Sequence, residues 1–87
     1  MCAVKTGIAG TLESMDCLVT ASTGTGQITL EGTSVARFRS SMEETVHKVI
    51  ASLNAYDTDI HVQDRGALDI TLEARVRAAI LRLKEAD

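Results

Sequence analysis

Proline and tryptophan are absent from this 87-residue chain, and Phe38 and Tyr56 are its only aromatic residues. A core without aromatic bulk must be built from aliphatic side chains, and a chain this short has room for one modest core in one domain. No linker divides the sequence and no internal repeat runs through it. No stretch approaches the roughly 18 consecutive apolar residues that a membrane-spanning helix needs. Positive charge is scarce as well: 9 Lys and Arg against 12 Asp and Glu leave a formal net charge of −3. Without a basic stripe to displace phosphate counterions, nucleic acid is not an expected partner, and anionic membrane surfaces are disfavoured on the same ground. Residues Met1 to Gly10 carry one lysine and no sustained apolar run, so no signal peptide is expected there and the natural compartment is the cytoplasm. Cys2 and Cys17 are the only cysteines, and no Cys-x-x-Cys or Cys/His cluster has zinc spacing. In a reducing compartment both stay thiols, and Cys17, inside an alternating apolar run, behaves as a small hydrophobe.

Periodicity supplies the elements. Residues 1–14 are small, polar and Gly-punctuated, and they read as an extended or mobile N-terminal arm leading into one domain over 15–87. Met15, Cys17, Val19 and Ala21 alternate with Asp16, Leu18, Thr20 and Ser22, which predicts a strand. Thr23 to Gly26 can reverse the chain, and Gln27 to Glu31 alternates again, so the two runs predict an antiparallel hairpin. Val35, Phe38, Met42, Val46, Val49, Ile50 and Leu53 recur at helical spacing. That helix is placed from Val35 with Ser34 as N-cap, Ser40 and Ser41 being alternative capping starts. Glu44 and Lys48 stand four apart on its outer face. Asn54 to Thr58 breaks the helix, and Asp59 to Gln63 predicts a third strand. After the Asp64-Arg65-Gly66 turn, Leu68, Leu72, Val76, Ala79, Ile80 and Leu83 define a second helix, with Glu73 four residues before Arg77. Residues 68–72 also alternate and are open between strand and helix, with Asp69 as N-cap the preferred resolution. The expectation is a two-layer α+β domain in β-β-α-β-α order, a hairpin and a third strand packed on two helices.

Catalytic candidates are few. His47 falls within a helix and His61 within a strand, and neither has a Ser or Cys at a spacing that argues for a dyad. Glu43, Glu44, Asp57, Asp59 and Asp64 read as helix-face and turn acids. Gly24-Thr25-Gly26 is too short for a phosphate-cradling loop before a helix and reads as a hairpin turn. No catalytic residue and no metal ligand is assigned. A chain of this kind serves as a subunit or carrier. Ser14, between Glu13 and Asp16 where the arm meets the first predicted strand, offers a hydroxyl that a modifying enzyme can reach; a turn serine without a role is the plain alternative.

The run Ala9-Gly10-Thr11-Leu12-Glu13-Ser14-Met15-Asp16 resembles the N-terminal motif of citrate lyase acyl carrier proteins (gamma chains). The stretch Asp64-Arg65-Gly66-Ala67-Leu68-Asp69, followed by Glu73-Ala74-Arg75-Val76, resembles that family's C-terminal signature. Met15 departs from the pattern, a small residue being commoner there, and the chain lacks the short tail that some members carry. The resemblance implies that Ser14, the serine of the Glu-Ser-x-Asp motif, binds 2'-(5''-phosphoribosyl)-3'-dephospho-CoA through a phosphodiester. It further implies that the terminal thiol of that group carries acetyl and citryl thioesters, and that a separate transferase loads it. Its implied partners are an alpha chain (acyl transferase) and a beta chain (citryl lyase), the carrier being non-catalytic during cleavage of citrate to oxaloacetate and acetate. The alternatives are the carrier of malonate decarboxylase, which resembles this family, and an unmodified structural or regulatory subunit.

Overall fold

A computed structural model describes residues 5–85. The elements are β1 (Thr6–Gly10), β2 (Cys17–Thr23), β3 (Ile28–Gly32), α1 (Val35–Leu53), β4 (Thr58–Asp64) and α2 (Asp69–Glu85). They form one four-stranded sheet in the order β1-β2-β4-β3. β1 with β2 and β2 with β4 run antiparallel, while β3 and β4 run parallel. α2 packs on β1 and β2, and α1 packs on α2 and β3. The two-layer α+β expectation therefore holds, with one strand more than the sequence pattern predicts.

That strand is β1, which corrects the reading of residues 1–14 as an arm. Thr6 to Gly10 pairs along its whole length with Ser22 to Leu18. Its inward residues are Gly7 and Ala9, so an apolar alternation has almost nothing to register. The smallness is required: a Cβ on Gly7 would strike the Ala79 carbonyl and the Leu83 amide of α2. Residues 1–4 of the expected arm, with Cys2, lie outside the described residues.

The hairpin between the second and third runs is also corrected. β2 and β3 are antiparallel in direction, but β4 lies between them and hydrogen-bonds to both. Alternation says that a segment is a strand and which face is buried; it does not name the partner. β4 carries Thr58, Ile60, Val62 and Asp64 on its buried face, and α1 provides the crossover that a parallel neighbour needs. The Thr23–Gln27 connection is not a tight turn. The backbone N–H groups of Thr25, Gly26 and Gln27 donate to Asp59 Oδ1 at 3.0, 3.0 and 2.9 Å. Those bonds, Gln27's foremost, hold the Asp59 carboxyl below its usual range.

The core is aliphatic throughout: Val19, Ile60 and Val62 from the sheet meet Val46, Val49, Val76 and Ile80 from the helices. α1 begins at Val35 with Ser34 in the N-cap position, although the Ser34 side chain makes no cap bond. Phe38 interrupts the helix with φ −124° and ψ 20°, which breaks the phase of the expected stripe. Val35 and Met42 are buried on either side of it, whereas Phe38 is 51% exposed. Asn54 at φ 55° closes the helix in the left-handed region, its N–H on the Ala51 carbonyl and the Ala55 N–H on the Ile50 carbonyl. Lys48 bonds across to Glu73 of α2 at 2.9 Å, not along the helix to Glu44. Residues 69–72 are helical, and Asp69 is the first helical residue; the carbonyl of Leu68 accepts the Leu72 N–H. Leu68 itself is 61% exposed and drops out of the buried stripe.

Candidate functional site

Thr11 to Asp16 links β1 to β2, and Ser14 sits exposed near its tip. Among the described residues the Ser14 hydroxyl has no hydrogen-bond partner. The backbone that carries it is tightly held. Thr11 N–H donates to the Cys17 carbonyl and Asp16 N–H to the Glu13 carbonyl, each at 3.2 Å. Met15 N–H donates to the Arg65 carbonyl at 2.8 Å, and Arg65 N–H returns to the Asp16 carbonyl at 2.9 Å. Met15 and Asp16 thus oppose the single residue Arg65, a β-bulge whose first residue stands in the left-handed region at φ 65°. Met15 is not the first inward residue of a strand, as alternation suggests; it is 67% exposed, and β2 begins at Cys17. The bulge gives a reason why a small residue suits that position, since a Cβ is strained there.

Asp16 anchors the turn. Its Oδ1 accepts the Cys17 N–H at 2.7 Å and Arg75 Nε at 3.1 Å. Its Oδ2 accepts the Thr11 hydroxyl at 2.7 Å and Arg75 Nη2 at 3.0 Å. The Thr11 oxygen in turn accepts the Glu13 N–H at 3.1 Å. Arg75 above all, then Thr11 and the Cys17 amide, pull the Asp16 carboxyl down to about 2. The same pair raises Arg75 above its ordinary value. Beside the turn, the buried Asp64 carboxylate accepts Gly66 N–H at 3.1 Å and Ala67 N–H at 3.0 Å, which shapes the loop from β4 into α2.

Two sequence motifs that lie far apart in the chain therefore meet at one place. Ser14, the one residue singled out from sequence, stands on a turn braced by the Arg65 backbone and the Arg75 side chain. Thr11, Arg65 and Arg75 all lie in the stretches that carry the resemblance, but spacing does not reveal which of them touch. The two histidines stay apart from the turn's hydrogen bonds. His47 is exposed on α1, and His61 lies 3.2 Å from Glu31 on the sheet face away from the helices. Cys17 is fully buried, and burial first, with Asp16 and Asp64 adding to it, pushes its thiol up to about 11. Among the described residues no group of three or more His, Cys, Asp or Glu is placed to hold a metal ion, and no helix is long and apolar enough to cross a membrane.

A groove of about 420 Å³ adjoins the turn, between the first half of α1 and the Asp64–Asp69 loop. Phe38, Met42, Ala67 and Leu68 make part of its lining apolar, and Ser34, Ser41, Asp64 and Asp69 make the rest polar. Gly66, also on its lining, faces the Cα of Met15 across 3.9 Å measured from an ideal Cβ position.

Residues 4–83 match the family model described as malonate decarboxylase delta subunit (MdcD). The chain is 37% identical to the citrate lyase acyl carrier protein of Pectobacterium carotovorum subsp. carotovorum (strain PC1), covering 91% of this chain and 84% of that protein. It is 37% identical to the protein of that name from Fusobacterium nucleatum subsp. nucleatum, over 93% of this chain and 89% of the relative. With the one from Cronobacter sakazakii the identity is 33%, over 95% and 88%.

Proposed function

The chain belongs to the citrate lyase acyl carrier protein family, and from that premise we propose that it is the acyl carrier subunit of a citrate lyase, with Ser14 as its attachment residue. The observation that carries the reading is the exposed Ser14 hydroxyl, without a partner among the described residues, on a turn fixed by both family-like stretches. The turn suits a phosphodiester of 2'-(5''-phosphoribosyl)-3'-dephospho-CoA. The hydroxyl gives up no internal bond on esterification, and Arg75 already neutralises the nearby Asp16, so the phosphate does not face that carboxylate unpaired. When bound, the group supplies a terminal thiol that carries acetyl and citryl groups.

The chain's own work is to hold and present. The bulge at Met15–Asp16 and the Asp16–Arg75 pair set the direction in which the Ser14 oxygen leaves the surface. A fixed root with a long tether raises the effective concentration of the cargo at two successive active sites. Those sites belong to the alpha chain, an acyl transferase, and the beta chain, a citryl lyase, working in the cytoplasm. The carrier itself is non-catalytic. Among the described residues the Ser14 hydroxyl is hydrogen-bonded to no base, so a separate transferase must activate it during loading.

Reconstitution tests the proposal. The loaded chain, added to purified citrate lyase alpha and beta chains, restores cleavage of citrate to oxaloacetate, and alone it cleaves none. Restoration of malonate decarboxylase instead, the reading that the family model's description favours, would replace the proposal. Cleavage by the isolated chain would end the carrier reading altogether.

A further inference from the structure

We propose that the groove between α1 and the Asp64–Asp69 loop seats the adenine of the prosthetic group, leaving the thiol end free. The inference rests on the attachment of that group at Ser14. Its first support is position. Ser14 precedes Met15, Met15 is bonded to Arg65, and Arg65 is followed by Gly66, Ala67 and Leu68 on the groove's lining. A group rooted at Ser14 therefore starts at the groove's edge.

The second support is the lining itself. Phe38 and Leu68 stay 51% and 61% exposed, one within α1 and the other just before α2. The non-helical backbone at Phe38 turns its ring out of the core stripe and into the groove wall. Arg37 covers one side of that ring at 5.5 Å from its centroid, and a planar base can use the remaining exposed surface. Apolar patches of this kind on a small domain mark places where something docks.

Charge then selects the part of the group. Asp69, exposed on the groove's lining beside the buried Asp64, has no cationic partner among the described residues, so a pyrophosphate or a citryl carboxylate is repelled there. An uncharged base is not, and its exocyclic amine can donate to the Ser41 or Asp69 oxygens. Along the group from Ser14 the base precedes the pyrophosphate, whereas the pantetheine lies beyond it. The adenine is thus the first uncharged, planar portion to reach the groove. Seating it shortens the free tether to the portion that must swing between active sites.

Proton NMR of the holo protein, with the group mapped to Ser14 by peptide mass, tests this. Nuclear Overhauser effects are expected from adenine H2 and H8 to the Phe38 ring and Leu68 methyls, with adenine lines as broad as the protein's own. Phe38→Ala alone, and Phe38→Ala with Leu68→Ser, should abolish those effects and narrow the adenine lines. Both side chains are half exposed or more, so neither change threatens the fold. Adenine lines already narrow in the parent protein, with no effect to the groove, overturn the inference. So does a groove whose signals ignore loading and move only when the alpha chain is added. A group on Ser14 with a free base refutes this inference alone; a group mapped to another residue refutes the attachment and the inference together.

Discussion

Arg75 of α2 reaches across 59 positions of sequence to place Nε and Nη2 on the two carboxylate oxygens of Asp16, two residues after Ser14. The geometry is bidentate, and the carboxylate also takes the Thr11 hydroxyl and the Cys17 amide. One side chain therefore ties the turn, the start of β2 and the second helix together.

Removing that tie is expected to destabilise the fold in a pH-dependent way. Asp16→Asn should lower Tm by roughly 5–10 °C near neutrality, as loss of a charge-assisted pair does in a domain of this size. The Asp16 carboxyl is depressed from its ordinary 3.8 to about 2 in the folded chain. The unfolded state thus takes up the proton first, and the contribution is present above about pH 4 and lost as pH falls toward 2. Thermal melts of both proteins across that range should converge at the acid end. Curves that stay parallel down to pH 2 would contradict the assignment.

Ser14→Ala should leave the fold intact and abolish loading. The hydroxyl is exposed and makes no bond among the described residues, so its loss should cost no more than about 0.5 kcal/mol. Thr11 is no substitute, because its oxygen is already bonded to Asp16 and Glu13. Incubation with the loading transferase and its coenzyme precursor, followed by intact mass, reads the outcome. A mass gain on the Ser14→Ala protein would show that the attachment residue lies elsewhere.

Met15→Gly should stabilise the chain slightly. The side chain is mostly exposed and contributes little burial, whereas φ 65° costs an L-residue about 1 kcal/mol. Glycine removes that cost and returns part of it as unfolded-state entropy, for a net gain of about 0.5 kcal/mol and a rise of a few degrees in Tm. A fall of several degrees would mean that Met15 packs on something that matters more than its backbone.

Cys17 should be nearly inert to alkylation in the native protein. Its thiol is pushed from 9.0 to about 11, two units that reduce the thiolate roughly 100-fold, and burial denies access besides. Stability should fall as pH rises beyond 9, because the unfolded thiol ionises first and the folded one stays protonated up to about 11. Peptide mapping after timed iodoacetamide labelling at pH 8, native against unfolded, checks the first point. Equal rates in the two states would disprove it. Under the proposed function the working thiol belongs to the prosthetic group, so Cys17→Ala, loaded and assembled, should still support acyl transfer.

The helices and their buried faces were legible because Val46, Val49, Val76 and Ile80 repeat at the period of a helix and are fully covered. β1 was not, since the close approach of α2 demands Gly7 where a pattern reader looks for valine. Strand pairing was hidden for a different reason: Ile60 and Val62 announce a half-buried strand equally well at an edge or in the middle, and only the three-dimensional slot between β2 and β3 decides. At the site, Ser14 was singled out by the resemblance of its motif rather than by its setting, and the partnership of Asp16 with Arg75 depends on where α2 crosses β2, which no local spacing encodes. Phe38 misled because its spacing fits the stripe while its backbone does not.

Because β4 fills the middle of the sheet and Arg75 comes after it, the turn that carries Ser14 is completed late in synthesis although it lies near the beginning. A nascent chain that has left the ribosome only as far as α1 has neither the Arg65 backbone nor the Arg75 side chain with which to brace residue 14. A transferase that recognises the braced turn would then distinguish finished subunits from fragments. If the proposed attachment holds, the coenzyme derivative would go only to chains whose second half has folded.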